Sequence, residues 1–233
     1  MLSLSWPGTT CVLKHCTALG RPNYFGLHGL WPEYKMNCGN VHWSGKDLSD
    51  ENRRDLPLYW NSMYNSEMGF INHELSKHAT CWQPRQADPE ASPSQIVRAI
   101  SHYDLGTLNG KLNAFIQVAI TWSKNHDLFR ILEENGIFAS DEQNVSSWDI
   151  VKTFEEHFGV RNSVFLICQK RHGGKNYFSE IRFCLNDNYQ VESCGEDFIQ
   201  KHMQYCGEEV LYPRFPELED QDQLKKSARD LQD

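Results

Sequence analysis

Two short runs hold a set of proton carriers: Phe25-Gly26-Leu27-His28-Gly29-Leu30-Trp31-Pro32 and, further on, His73-Glu74-Leu75-Ser76-Lys77-His78-Ala79-Thr80-Cys81. Cleaving a phosphodiester through a neighbouring 2′-hydroxyl needs a base for that proton, an acid for the departing oxygen and donors for the charge that builds on phosphorus. Two imidazoles titrating near 6.5, one neutral and one protonated, meet the first two needs without a metal. Lys77, with His73 as a second donor, meets the third. Glu74 beside His78 would raise that imidazole's pKa, orient it, or share a proton with the phosphate.

The elements around these runs must make them meet. On a helix turning 100° per residue, Glu74 and His78 lie four apart on one face, and His73 and Lys77 form a second pair beside them. His73 and His78 are five apart, about 140° around the helix, so the run is not the zinc-binding H-E-x-x-H and no metal is expected. His28 must arrive from elsewhere in the fold. Cys38 and Cys81, flanking the two runs, offer a staple that would hold the segments together.

Periodicity supplies the frame. Residues 1–45 mix Pro, Gly and aromatics with short apolar runs and read as strands and loops. Helices are expected from about Lys46 to Trp60, with Ser49 or Asp50 as the start, and from about Gly69 to Cys81. Residues 83–93, with three prolines, read as loop. Further helical spacing covers Ile96 to Tyr103, Leu112 to Trp122, Asp127 to Glu134 before Asn135-Gly136, and Trp148 to Phe158 before Gly159. The period then changes: Ser163–Cys168 reads as a buried strand and Tyr177–Cys184 as an alternating one, with Gly173-Gly174 in the turn between. Helices in the middle and strands toward both ends define an α+β class: a central antiparallel sheet with several packed helices, stapled by disulfides. One domain over 1–212 and a polar, loosely attached tail over 213–233 complete the organisation.

Composition bounds the role. Of 233 residues, 39% are hydrophobic, enough for a full core, and no stretch approaches the roughly 20 apolar residues of a membrane helix. Eight cysteines without C-x2-C knuckles fit disulfides better than zinc, and so a secretory, vacuolar, lysosomal or extracellular setting, an export signal having been removed. The sequon Asn144-Val145-Ser146 agrees with such a setting and makes Asn144 a candidate glycosylation site. A formal charge of −8 argues against a stable nucleic-acid complex, but protonating all ten histidines would carry it to +2, so a polyanion is tolerated at low pH. Isolated histidines such as His42, His102, His126, His157 and His202 read as surface or hydrogen-bonded residues.

Leu27-His28-Gly29-Leu30-Trp31-Pro32 resembles the first active-site segment of the T2 ribonuclease family, and His73-Glu74-x-x-Lys77-His78-x-Thr80-Cys81 resembles the second. With Ser5-Trp6-Pro7 and the late cysteines, the resemblance spans about residues 2–206. It implies an endoribonuclease that acts on single-stranded RNA through a 2′,3′-cyclic phosphate, without a cofactor, as a monomer away from membranes. His28 would be the acid and His78 the base, Glu74 and Lys77 would stabilise the phosphorane, and His73 would bind phosphate. Trp31 would stack on a base, and Glu33 sits where a base-reading carboxylate is common. The family pattern pairs Cys11 with Cys16, Cys38 with Cys81, Cys168 with Cys206 and Cys184 with Cys194.

Leu75, Ala79 and Ser5 depart from the family's Trp, Gly and Gln, and Leu75 and Ala79 are expected to reshape the pocket. Residues 84–112 exceed the usual connection and read as an insertion. The alternative is a T2-fold recognition or signalling protein in which RNA cleavage is weak or secondary; the presence of both His28 and His78 favours the enzyme.

Overall fold

A computed structural model describes residues 1–14, 16, 23–32, 36–44, 46–63, 67–84, 95–170 and 174–216. The strands among them are β1 (Leu2–Ser5), β2 (Gly26–Leu30), β3 (Asn144–Ser146), β4 (Val164–Lys170), β5 (Asn176–Phe183) and β6 (Glu209–Leu211). They form one sheet in the order β2-β1-β5-β6-β3, with β4 also paired to β5. Pairing is antiparallel except where Tyr177 of β5 meets Leu211 of β6 in parallel. The helices are α1 (Pro7–Leu13), α2 (Asp50–Tyr59), α3 (Glu67–Lys77), α4 (Gln95–Ile100), α5 (Leu108–Asn125), α6 (Leu128–Glu134), α7 (Ser147–Phe158) and α8 (Glu196–Met203).

Capping chemistry sets four of the eight helix starts among the described residues. Ser49, Thr107, Asp127 and Ser146 each accept a hydrogen bond from the backbone N–H three residues on, which satisfies a donor the helix itself cannot. Gly159 ends α7 at φ +69°, a left-handed conformation that costs glycine little. The long α5 buries eleven residues and packs against α2, α4 and β2, so it is the wall on which the β2 side of the sheet rests.

Several elements differ from the sequence expectation. The first 45 residues contain α1, whose Pro7 suits a first helical position although Gly8, Thr9 and Thr10 are poor helix formers; tertiary contact overrides propensity here. The short α8 has only Ile199 and Met203 as buried anchors, and β3 and β6 are three residues each, too brief for a periodic signal. The tail does not loosen at Pro213: the Pro213 carbonyl accepts from Trp6 Nε1 at 2.6 Å and Phe215 is buried. Residues 217–233, most of the proline-rich loop (85–94) and the Arg171-His172-Gly173 stretch lie outside the described residues.

The eight cysteines form four disulfides, Cys11–Cys16, Cys38–Cys81, Cys168–Cys206 and Cys184–Cys194. Cys38–Cys81 spans 43 residues and fixes the segment after β2 to the end of α3. Side chains of α3 reinforce it. Asn72 exchanges two 2.7 Å hydrogen bonds with the Trp43 backbone, and Ser76 Oγ donates to the Val41 carbonyl at 2.7 Å. Replacing Cys38 and Cys81 together by serine is expected to cost about 4 kcal/mol through loop entropy. Urea unfolding reads this as a lower midpoint, and a loss under about 1 kcal/mol would show that Asn72 and Ser76 suffice alone.

Candidate active site

His28 sits at an irregularity in β2. Leu27 pairs with Leu4 and Gly29 with Ser3, so His28 is the extra residue of a β-bulge, a device that re-aims a side chain and frees its backbone from the ladder. Its carbonyl instead accepts from Trp60 Nε1 at 3.0 Å, at the end of α2. The register places Ser3 opposite Arg182 and Ser5 opposite Glu180, so alternation puts these polar side chains on one face of the sheet and Leu2, Leu4, Ile181 and Phe183 in the core on the other. His28 joins the polar face: its Nδ1 lies 3.0 Å from Glu180 Oε1.

The second run arrives on α3. Its last turn brings Glu74 against β2, with Oε1 4.0 Å from His28 Nε2 and Oε2 3.9 Å from His78 Nε2. One carboxyl group thus stands between the two imidazoles. Trp31 Nε1 donates to Glu74 Oε2 at 3.0 Å. Gly29 permits this approach, because a Cβ there would stand 2.3 Å from both Glu74 Oε2 and Trp31 Nε1. The α-helix stops at Lys77, and His78 heads a 3-10 turn over Ala79–Cys81 while its N–H still donates to the Glu74 carbonyl.

Burial sets the electrostatics. Desolvation pushes the Glu74 carboxyl up, against the Trp31 hydrogen bond and the charges of His28, His73 and Lys77. Desolvation also lowers His78, helped by repulsion from Lys77, His73 and His28, to about 4. The expectation that Glu74 would raise His78 therefore fails. The His78 side chain is only 7% exposed, and its buried Nδ1 makes no hydrogen bond to the described residues, so the charged ring would bury an unsatisfied N–H. Glu180 shows the opposite balance. Burial pushes it up, but the hydrogen bonds and charges of His28 and Arg182 outweigh that and bring it to about 2.

His28, Glu74 and His78 meet, then, and the charges of His73 and Lys77 reach the same point, with His73 exposed and Lys77 half-buried at its edge. Trp31 lies between the histidines, its ring centroid 5.2 Å from His28 and 5.4 Å from His78, with the Arg182 guanidinium 4.6 Å above its ring. Glu33 lies outside the described residues, and Asn144 is exposed on β3, away from these groups, with Nδ2 donating to Glu209. Leu75 and Ala79 are fully buried in the core, so they fill space behind α3 instead of shaping the pocket. Ser5 does border a cavity beside His28, with Asn61, Met63, Phe70 and Glu180 in its wall.

His126 and His202 each bond a carbonyl of their own helix at 2.8 Å. Sequence reasoning missed Glu180 and Arg182. The one available signal was the pair of charges two apart on the strand read as half-buried.

Comparison with known proteins bears on the family and the fold. The sequence model of the Ribonuclease T2 family matches residues 1–194. Ribonuclease T2 of Sus scrofa is 35% identical over 204 residues, covering 84% of this chain and 88% of that protein. Ribonuclease S-F11 of Nicotiana alata is 31% identical over 197 residues, covering 80% and 85%. Among solved structures, RNase NT in complex with 5′-AMP superposes with a TM-score of 0.67 at 21% identity over 92% of this chain and 97% of that one, a likeness of fold. The chain belongs to the ribonuclease T2 family. By that membership it is an endoribonuclease in class, with a mixed helix-and-sheet fold held by four disulfides.

Gly29→Ala tests the packing that joins the two runs. The added methyl must displace Glu74 or Trp31, which is expected to cost about 1–3 kcal/mol and to lower RNA cleavage. A variant with wild-type melting and activity would show that β2 and α3 have slack at this contact.

Proposed function

We propose that the protein cleaves single-stranded RNA without a metal, by 2′-hydroxyl transesterification with His78 as base and His28 as acid. The observation that carries this reading is the Glu74 carboxyl standing between two Nε2 atoms, about 4 Å from each, an arrangement that supports a phosphate bound against all three groups. His78 takes the 2′-hydroxyl proton, the oxygen attacks phosphorus, and His28 gives its proton to the departing 5′-oxygen. The products are a 2′,3′-cyclic phosphate and a free 5′-hydroxyl. In the second step His28 takes a proton from water, the hydroxide opens the ring, and His78 returns its proton to the 2′-oxygen, leaving a 3′-phosphate.

The shifted groups suit this division. A base must be neutral before the reaction, and an imidazole lowered to about 4 is neutral even in an acidic compartment. Burial raises the Glu74 carboxyl, and whenever it holds a proton it donates a hydrogen bond to a non-bridging oxygen instead of repelling it. Lys77 and His73 supply positive charge at the rim. A base stacking on Trp31 would meet the face that Arg182 leaves open, since the guanidinium lies over the other. The disulfides fit an oxidising lumen or the outside of the cell, and among the described residues no helix is long and apolar enough to cross a membrane.

Two expectations follow. RNA digestion in excess chelator is expected to match digestion without it, and kcat/KM to fall about tenfold per pH unit below about 4, because that limb reports protonation of the free enzyme's base. An acid limb above about pH 6 would remove His78 from the role. His78→Ala is expected to lower kcat by roughly 10²- to 10⁴-fold with the fold intact by circular dichroism. Absence of cleavage by the wild-type chain at any pH from about 4 to 7 would leave the recognition reading in its place.

A further inference from the structure

The His28 ring faces two carboxyl groups, one at each nitrogen, and they are not equivalent. At Nε2 is Glu74, 4.0 Å away. At Nδ1 is Glu180, at hydrogen-bonding distance, 3.0 Å. The second carboxylate is itself clamped: its Oε2 accepts from Ser3 Oγ at 3.0 Å and from Arg182 Nε and Nη2 at 3.2 and 2.8 Å. With Oε2 so occupied, Oε1 is the oxygen left for His28. Arg182 is held in turn by its position over Trp31.

We propose that Glu180 is the positioning residue of His28: accepting the Nδ1 proton, it fixes the ring's tautomer and turns Nε2 toward the reacting phosphate. This deepens the ribonuclease reading above and rests on it. Glu180 touches no reacting atom and acts only through the imidazole. A permanently ionised partner suits the task, because a carboxylate at about 2 cannot donate to Nδ1 at any pH where the enzyme works. Nδ1 must then carry the hydrogen, and Nε2 is the site that gains and loses the mobile proton, as acid in the first step and base in the second. The bulge at His28 gives the arrangement its geometric cause. In a regular ladder the residue after Leu27 would take the place opposite Ser3 that Gly29 fills, with its carbonyl in the ladder and not bound to Trp60.

The test compares Glu180→Ala and the isosteric Glu180→Gln with the wild-type chain, reading kcat and KM across pH on a dinucleoside phosphate, with melting temperature as control. The charged groups around His28 are Glu74 on α3, Glu180 and Arg182 on β5, Lys14 at the end of α1 across the cavity, and His78 beyond Trp31. Of these only Glu180 changes.

Both variants are expected to lower kcat by about 10- to 100-fold with KM within about twofold. Because Glu180 is the anion bound to the ring, removing it is also expected to displace the basic limb of the profile. If both variants keep kcat within about threefold, or lose it with the basic limb unmoved, Glu180 only packs the sheet and the proposal falls. Nitrogen NMR of His28 separates this outcome from failure of the ribonuclease reading. Neutral His28 protonated at Nδ1 supports the assignment even in a chain that cleaves nothing, and protonation at Nε2 overturns it.

Discussion

Everything at this site depends on burying one carboxyl group. Glu74 is nearly inaccessible between β2 and α3, where water no longer stabilises its charge, and the groups around it are arranged by that fact. The Trp31 indole donates to it, two imidazoles face it from opposite sides, and two further cations stand where the site opens. An ionised carboxylate sealed from water without partners would cost several kcal/mol. Here the cost is reduced by one hydrogen bond, by surrounding positive charge and by a shift toward the neutral acid.

The same burial separates the two histidines. His78 is packed near the end of α3 and held toward its neutral form. His28 is 30% exposed in its side chain and stands against an ionised carboxylate. Two chemically identical rings thus stand in different surroundings, one buried and one bound to a carboxylate, an asymmetry that suits the base and acid roles proposed for them. The sheet and the helix contribute differently. The β-bulge aims His28 and α3 carries Glu74, Lys77 and His78 on a single rigid element, while the Cys38–Cys81 bridge and the Asn72 and Ser76 contacts hold the two in register.

Much of this was legible in the chain. The longer helices follow from their spacing and caps, as Ser49 before α2 and Gly159 after α7 show, because those signals are local. The convergence of His28 with Glu74 and His78 was legible as a motif resemblance and not as geometry. Short elements escaped: α1, α8, β3 and β6 carry too few apolar positions to set a period, and they form because neighbours bury them. The roles expected of Leu75 and Ala79 in the pocket failed for a related reason. Helical spacing places them beside His78 in sequence without saying which side of α3 meets the core.

The sequence by itself determined the candidate reacting groups, the cysteine count, the class of fold and the family, since these depend on residue types and local order. Only the tertiary structure decided the direction in which Glu74, His78 and Glu180 shift, and their partners. The direction of the His78 shift reversed the simple pairing argument because desolvation, joined by repulsion from Lys77, His73 and His28, lowers it. Glu180 was invisible because it meets His28 from 152 residues away, through a sheet in which β1 lies between their strands. Solvent exclusion and cross-strand register are properties of the packed whole, and no local pattern of residues encodes them.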